Sequence, residues 1–213
     1  DCAGAIFTNN VGSFEKMKLR MLNGTHSMLA YVGFHCGHRY VRDVMNDKVL
    51  SNLVNRHLQI AAQTLKPIKG IDYNNYAQSL VSRFSNPEIA HETFQIAMDG
   101  SEKMQQRIFY PLKDAISLNL NIRPFAFAIA AWLRHISQSY HDCAPYELRD
   151  PMADQLSPLP KERSAHSISE YLSRIGLLID DLKDDKMFWG QVSDILNNMM
   201  CKPMKSIVEQ EMI

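Results

Sequence analysis

The chain has 213 residues, 46% of them hydrophobic, and its 23 basic residues balance its 23 acidic ones to a formal charge of +0. That is enough chain for one substantial core, and the even balance argues against a nucleic-acid or anionic-membrane surface. Apolar runs such as Phe125 to Leu133 fall well short of the roughly 20 residues that span a bilayer. Cys2, Cys36, Cys143 and Cys201 lie too far apart for a disulfide framework, so reduced thiols and a cytoplasmic setting are expected. The chain opens at Asp1 with no signal-peptide pattern, in what reads as a half-finished unit, which suggests a piece of a longer protein.

Residues Ala3 to Thr8 read as a last strand or linker, ended by the turn signals Asn9-Asn10 and Gly12-Ser13. This divides the chain into a linker over residues 1–13 and a helical domain over 14–213. A helix from about Phe14 to Phe34 follows, with Ser13 as its N-cap. Met21, Met28, Tyr31 and Val32 on its far side mark it as central and buried. Gly24 costs about 1 kcal/mol relative to Ala within a helix, which points to close approach of another backbone or a ligand. Helical periodicity recurs near His38 to Met45, Lys48 to Leu65 and Tyr73 to Phe84. Asn86-Pro87 reads as an N-cap launching Glu88 to Met98, and Asp99-Gly100-Ser101 as a break before a helix from Glu102 to about Leu118. Arg123-Pro124 then starts a core helix, Phe125 to Ser137. Four of the nine prolines fall between Asp142 and Pro160, which predicts a loop with at most a short helical turn. Helices near Ser167 to Ile179, Lys186 to Met199 and Pro203 to Glu211 complete an all-α fold.

The chemistry concentrates in Lys18-Leu19-Arg20-Met21-Leu22-Asn23-Gly24-Thr25-His26. At about 100° per residue, Asn23 stands about 140° and His26 about 80° from Lys18, so the three share a face that also carries Leu19, Leu22, Leu29 and Ala30. Polar groups on an apolar stripe need partners, and a substrate with several hydroxyls supplies them. The same spacing is met if Lys18 is an exposed residue at the helix entrance, Asn23 a back-bonding residue and His26 a hydrogen-bonded core histidine; spacing alone does not separate the two readings.

The stretch KLRMLNGTHSMLAY, Lys18 to Tyr31, resembles the signature helix of the polyol-specific long-chain dehydrogenases, the mannitol dehydrogenase family. Ser82 to Ile108 (SRFSNPEIAHETFQIAMDGSEKMQQRI) is closest in style to its fructuronate reductase, or mannonate oxidoreductase, members. Ala131 to Leu156 resembles the family more loosely. The resemblance implies a multi-helix C-terminal substrate domain of a two-domain dehydrogenase, like the C-terminal domain of 6-phosphogluconate dehydrogenase, with the nucleotide-binding half missing. It implies Lys18 as general base, Asn23 in the oxyanion hole and His26 as a substrate ligand, with a second oxyanion-hole asparagine in the missing half and no bound metal. A base and hydrogen-bond donors are what alcohol oxidation requires, since a hydroxyl proton leaves as hydride departs. Burial and a nicotinamide ring nearby would both bring a lysine down toward working pH.

Lys103 matches a substrate-binding lysine of the family. Eight residues earlier, mannitol-type members carry an arginine where this chain has Gln95, as uronate-type sequences do. A sugar-acid carboxylate needs a cation, and Lys103, Arg107 or Arg83 could provide it; Lys103 and Arg107, four residues apart, also fit an ordinary basic pair on one wet helix face. The family usually has a proline before the glutamate that opens the signature helix, and Ser13-Phe14-Glu15 stands here instead.

His35-Cys36-Gly37-His38 is a weak zinc pattern with nothing nearby to complete four ligands, and His141-Asp142-Cys143 is weaker. The sequence lacks a G-x-G-x-x-G loop, so NAD or NADP would be held mainly by an N-terminal Rossmann domain of the same chain. The expected function is interconversion of a sugar acid or polyol and its keto form, mannonate and fructuronate favoured. The alternatives are a mannitol or arabinitol 2-dehydrogenase and a helical binding module without redox chemistry.

Overall fold

The computed structural model describes residues 9–138 and 145–212. The expected strand at Ala3 to Thr8 and the His141-Asp142-Cys143 cluster lie outside the described residues. Within them the regular structure is helical throughout, with one isolated antiparallel bridge between Tyr40 and Glu92. No helix among the described residues is long and apolar enough to cross a membrane.

Helix α1 runs without a break through Val11–Met17, a π-helical segment at Lys18–Gly24, and Thr25–His35. It begins before the expected boundary. The Ser13 N–H already closes a turn on the Asn10 carbonyl (3.2 Å), so Ser13 lies inside the helix and its Oγ donates to Asn10 Oδ1 at 2.8 Å instead of capping. The expectation that neither face is solvated holds only from Arg20 onward; Glu15, Lys16 and Lys18 are exposed.

Helices α2 (Val41–Asn46), α3 (Lys48–Gln63) and α4 (Tyr73–Phe84) follow. The last two start where aspartates supply the missing acceptors: Asp47 accepts from the N–H groups of Val49 and Leu50, and Asp72 from those of Asn74 and Asn75. The helix expected over Glu88 to Met98 is only α5, Thr93–Ala97. Asn86 Oδ1 does accept from the Glu88 N–H at 3.0 Å, but no helix grows from it. The backbone there pairs elsewhere: the Val41 N–H donates to His91 O (3.0 Å) and the Thr93 N–H to Arg39 O (2.9 Å), which leaves residues 89–92 as an extended strap across the start of α2.

Helix α6 is again compound, Gly100–Met104, a π-helical segment at Gln105–Phe109, and Tyr110–Ser117. Helix α7, Arg123–Ile136, is buried at every position from Pro124 to Ile136 and forms the centre of the core, packed on α1 and on α10 (Lys186–Cys201) once α8 (Ala153–Leu156) and α9 (Ala165–Arg174) have crossed the molecule. Helix α11, Met204–Glu211, closes the chain against α3.

Candidate active site

The π-helical segment of α1 changes the geometry expected from a regular helix. A π turn bonds residue i to i+5 and takes about 4.4 residues, roughly 80° each, so Asn23 swings from about 140° to about 50° from Lys18 and the two lie closer to one face than a regular helix allows. Widened turns weaken hydrogen-bond geometry, and they persist where packing holds them. Here the packing is against the second π-helical segment. A Cβ on Gly24 would sit 2.7 Å from the Arg107 carbonyl oxygen, so only glycine permits this approach.

Lys18 is exposed, Asn23 and His26 half-buried. Asn23 Oδ1 and His26 Nε2 are buried atoms without a hydrogen-bond partner. An unpaired buried polar atom costs about 1–3 kcal/mol, so both have hydrogen-bonding capacity left to offer a ligand. The His26 ring lies over Phe84 (centroids 4.4 Å apart, 31° between planes) and meets the edge of His91 at 6.1 Å. Burial first, then the charges of His91, Arg83 and Arg107, take its pKa down to about 3, so the imidazole stays neutral and can accept from a hydroxyl through one nitrogen while donating through the other.

Lys103 and Arg107 do not form the pair expected from their spacing, because the second π-helical segment begins between them and turns them to different partners. Lys103 Nζ donates to Met98 O at 2.6 Å and stands 3.6 Å from Asp99; burial lowers its pKa against the opposing pull of Asp99. Arg107 reaches the other way, to Ser27 Oγ on α1 (3.0 Å). Arg83 and Gln95 are exposed at the end of α4 and on α5. Asp99 adopts a left-handed conformation (φ 54°), and its turn is fixed from outside: its N–H donates to Arg149 O, and the Ser101 N–H and hydroxyl both donate to Asp150. The cavity of about 490 Å³ beside α1 is bordered by Glu15, Lys16, Arg20 and Asp114, and by none of Lys18, Asn23 and His26.

Phe84, His91, Ser27 and Asp150 were not singled out by sequence reasoning. All four lie inside the family-like stretches, Ser27 in the first, Phe84 and His91 in the second and Asp150 in the third, but nothing in their spacing marked them out. In the weak zinc pattern, His35 is buried in an aromatic cluster with Phe34, His135 and Tyr146, its pKa taken down to about 2 mainly by burial, and His38 faces Asp47 at 3.9 Å. Among the described residues no group of three or more His, Cys, Asp or Glu side chains is placed to hold a metal ion.

This all-α, multi-helix architecture is that of a part of two solved dehydrogenases, a mannitol 2-dehydrogenase and a D-sorbitol dehydrogenase. The chain belongs to the family of mannitol dehydrogenase C-terminal domains, which it matches over residues 10–200. It is 36% identical to the D-mannonate oxidoreductase of Escherichia coli K12 over 195 residues, covering 91% of this chain and 40% of that one. It is 33% identical to the mannitol 2-dehydrogenase of Aspergillus oryzae over 192 residues, covering 90% of this chain and 38% of that one. The Pseudomonas fluorescens mannitol 2-dehydrogenase, solved as a ternary complex with NAD and D-mannitol, superposes with a TM-score of 0.89 at 25% identity, over 99% of this chain and 43% of that one. The chain thus spans about two fifths of the length of these relatives.

Proposed function

We propose that this chain is the substrate domain of an NAD-dependent oxidoreductase that interconverts a sugar acid or polyol and its keto form, with mannonate and fructuronate the favoured pair. The observation that carries the reading is the π-helical segment that swings Asn23 toward the Lys18 face, with Asn23 Oδ1 and His26 Nε2 buried and lacking partners. The kinship to 6-phosphogluconate dehydrogenase C-terminal domains belongs to the same reading.

Lys18 Nζ takes the hydroxyl proton and returns it in ketone reduction. Lys18 is exposed on this domain, on the side left for a nucleotide-binding half to cover. The Asn23 amide holds the substrate oxygen as negative charge grows on it, and neutral His26 fixes a neighbouring hydroxyl. NAD, when bound, supplies the hydride acceptor; no residue of this chain is assigned to hold it, and NADP is the alternative. Fixed donors on the oxygen do the work that a Lewis-acid metal does elsewhere.

In the intact enzyme, Lys18→Ala should lower turnover by orders of magnitude and leave NADH affinity nearly unchanged; near-normal turnover overturns the assignment. The second reading, mannitol or arabinitol oxidation, draws on the likeness to mannitol 2-dehydrogenases, and relative turnover on mannitol and mannonate separates the two.

A further inference from the structure

Arg107 meets α1 at two places. Its backbone carbonyl lies where a Cβ on Gly24 would come within 2.7 Å of the oxygen, and its guanidinium donates from Nη1 to Ser27 Oγ at 3.0 Å. Gly24 directly follows Asn23, and Ser27 directly follows His26. One residue of α6 therefore spans the turn of α1 that carries both side chains, from the end of the π-helical segment into the regular helix after it.

Both contacts are held in place. Ser27 is fully buried, and a buried hydroxyl needs a partner, which Arg107 supplies through a charge-assisted hydrogen bond. The start of α6 is fixed to α1 as well. A Cβ on Gly100 would collide with the Trp132 indole and come within 2.8 Å of the Tyr31 hydroxyl oxygen, while Ser101 donates to Asp150 through its N–H and its hydroxyl. Tyr31 lies one turn beyond Ser27, so α6 runs antiparallel to this part of α1, with Gly100 at Tyr31 and Arg107 at Gly24 and Ser27. At about 100° per residue, Ser27 stands about 100° round the helix from His26, so the guanidinium grips α1 from beside the face that presents the imidazole.

We propose that Arg107 is a positioning residue, whose bond to Ser27 and carbonyl contact with Gly24 hold the Asn23 to His26 turn in the geometry the reaction uses. The inference rests on the proposed function above, in which Asn23 holds the reacting oxygen and His26 a neighbouring hydroxyl. In the sequence Arg107 suits a substrate carboxylate; in the fold its guanidinium is engaged with α1. Misplacing an oriented group by about 1 Å can cost on the order of 100-fold in rate, so a residue that acts only through a helix can govern turnover. Burial does most to keep the His26 ring neutral, and the Arg107 charge so placed adds to it.

The test measures kcat and KM of the intact enzyme with NAD, on mannonate and on mannitol, for the parent, Ser27→Ala, Arg107→Met, Arg107→Lys and the double variant Ser27→Ala/Arg107→Met. Each is assayed well below its own unfolding midpoint. Arg107→Met should lower kcat about tenfold or more on the substrates the parent turns over, with little change in KM or in the mannonate-to-mannitol ratio. In the Ser27→Ala background the same substitution should cost no more than about threefold, because the bond it removes is already gone. Arg107→Lys, which can still reach Ser27, should recover part of kcat. An equal loss in both backgrounds overturns the positioning role. A loss confined to KM for mannonate overturns it in favour of direct contact with a substrate acid group. Should Arg107→Met fail to fold, Ser27→Ala reads the same bond from the other side, and a parent-like kcat there overturns the proposal. These three outcomes leave the dehydrogenase reading standing; absence of NAD-linked turnover by the parent on both substrates overturns that reading and this inference with it.

Discussion

The carbonyl oxygen of Arg107 lies where a Cβ on Gly24 would come within 2.7 Å of it, so the two π-helical segments meet backbone to backbone. Pro111 helps explain why that carbonyl is available. Proline has no N–H to donate to the carbonyl four residues back, and that carbonyl belongs to Arg107. The Tyr110 N–H reaches Gln105 O, five residues back, as the widened turn requires. Alanine normally gains about 1 kcal/mol over glycine within a helix. Gly24→Ala should instead destabilise the domain by about 2 kcal/mol, because the obstructing atom is backbone and the helices must part. The shift of α6 would also draw Arg107 from Ser27. Urea unfolding reads the first effect and kcat/KM of the intact enzyme the second.

Much of this was visible in the residues. Gly24 in an otherwise apolar helix pointed to close backbone approach, and periodicity placed helices near Lys48 and Tyr73, where Asp47 and Asp72 turn out to cap them. The uninterrupted apolar run after Arg123-Pro124 is the buried centre of the core. The π-helical segments were not visible, because periodicity assumes a constant angle per residue and cannot register one extra residue in a turn. The strap at 89–92 was missed for a related reason: Asn86-Pro87 carries a sound local cap signal, and the competing partners, Arg39 and Val41, lie some fifty residues earlier. His91 owes its place to that long-range pairing.

Arg20 ties the start of the π-helical segment to two other elements. It is 3% exposed, donates to Thr64 O at 2.8 Å and pairs with Asp114 on α6. Arg20 is buried but Asp114 is 42% exposed, and Arg20 keeps Thr64 O when the carboxylate is gone, so Asp114→Ala should cost about 2 kcal/mol, below the 3–5 of a sealed pair. Arg20→Met, which removes the charge and keeps most of the volume, should cost less. The order of the two denaturation midpoints checks this; a larger loss for Arg20→Met would show that packing by the arginine stem outweighs the ion pair.

The end of the described chain is held by one carboxylate between two guanidinium groups. The Glu211 side chain is 3% exposed and accepts from Arg56 Nη2 at 2.7 Å and from Arg123 Nε and Nη2 at 2.9 and 2.7 Å. Glu211→Ala leaves both cations partly open to water, so the loss should be about 2 kcal/mol, below the 3–5 typical of a sealed pair. Hydrogen exchange should show the backbone amides of α11 opening before those of α7.

Acid should unfold the domain through its buried histidines. Burial takes His57 down to about 4, His135 to about 4 and His35 to about 2 from an ordinary 6.5. The folded state therefore holds these rings neutral while the unfolded chain protonates them, so stability is full above about pH 6.5 and falls as pH drops below it toward the folded values. With an unfolded pKa of 6.5, each such ring contributes a loss of about 2 kcal/mol between pH 7 and pH 5. With His26, lowered to about 3, four such rings together consume much of an ordinary 5–15 kcal/mol margin. Urea midpoints measured from pH 7.5 to 5 should fall steeply. His57→Phe, placed against Phe125, should flatten the slope by about one quarter; an unchanged slope would remove His57 from the account.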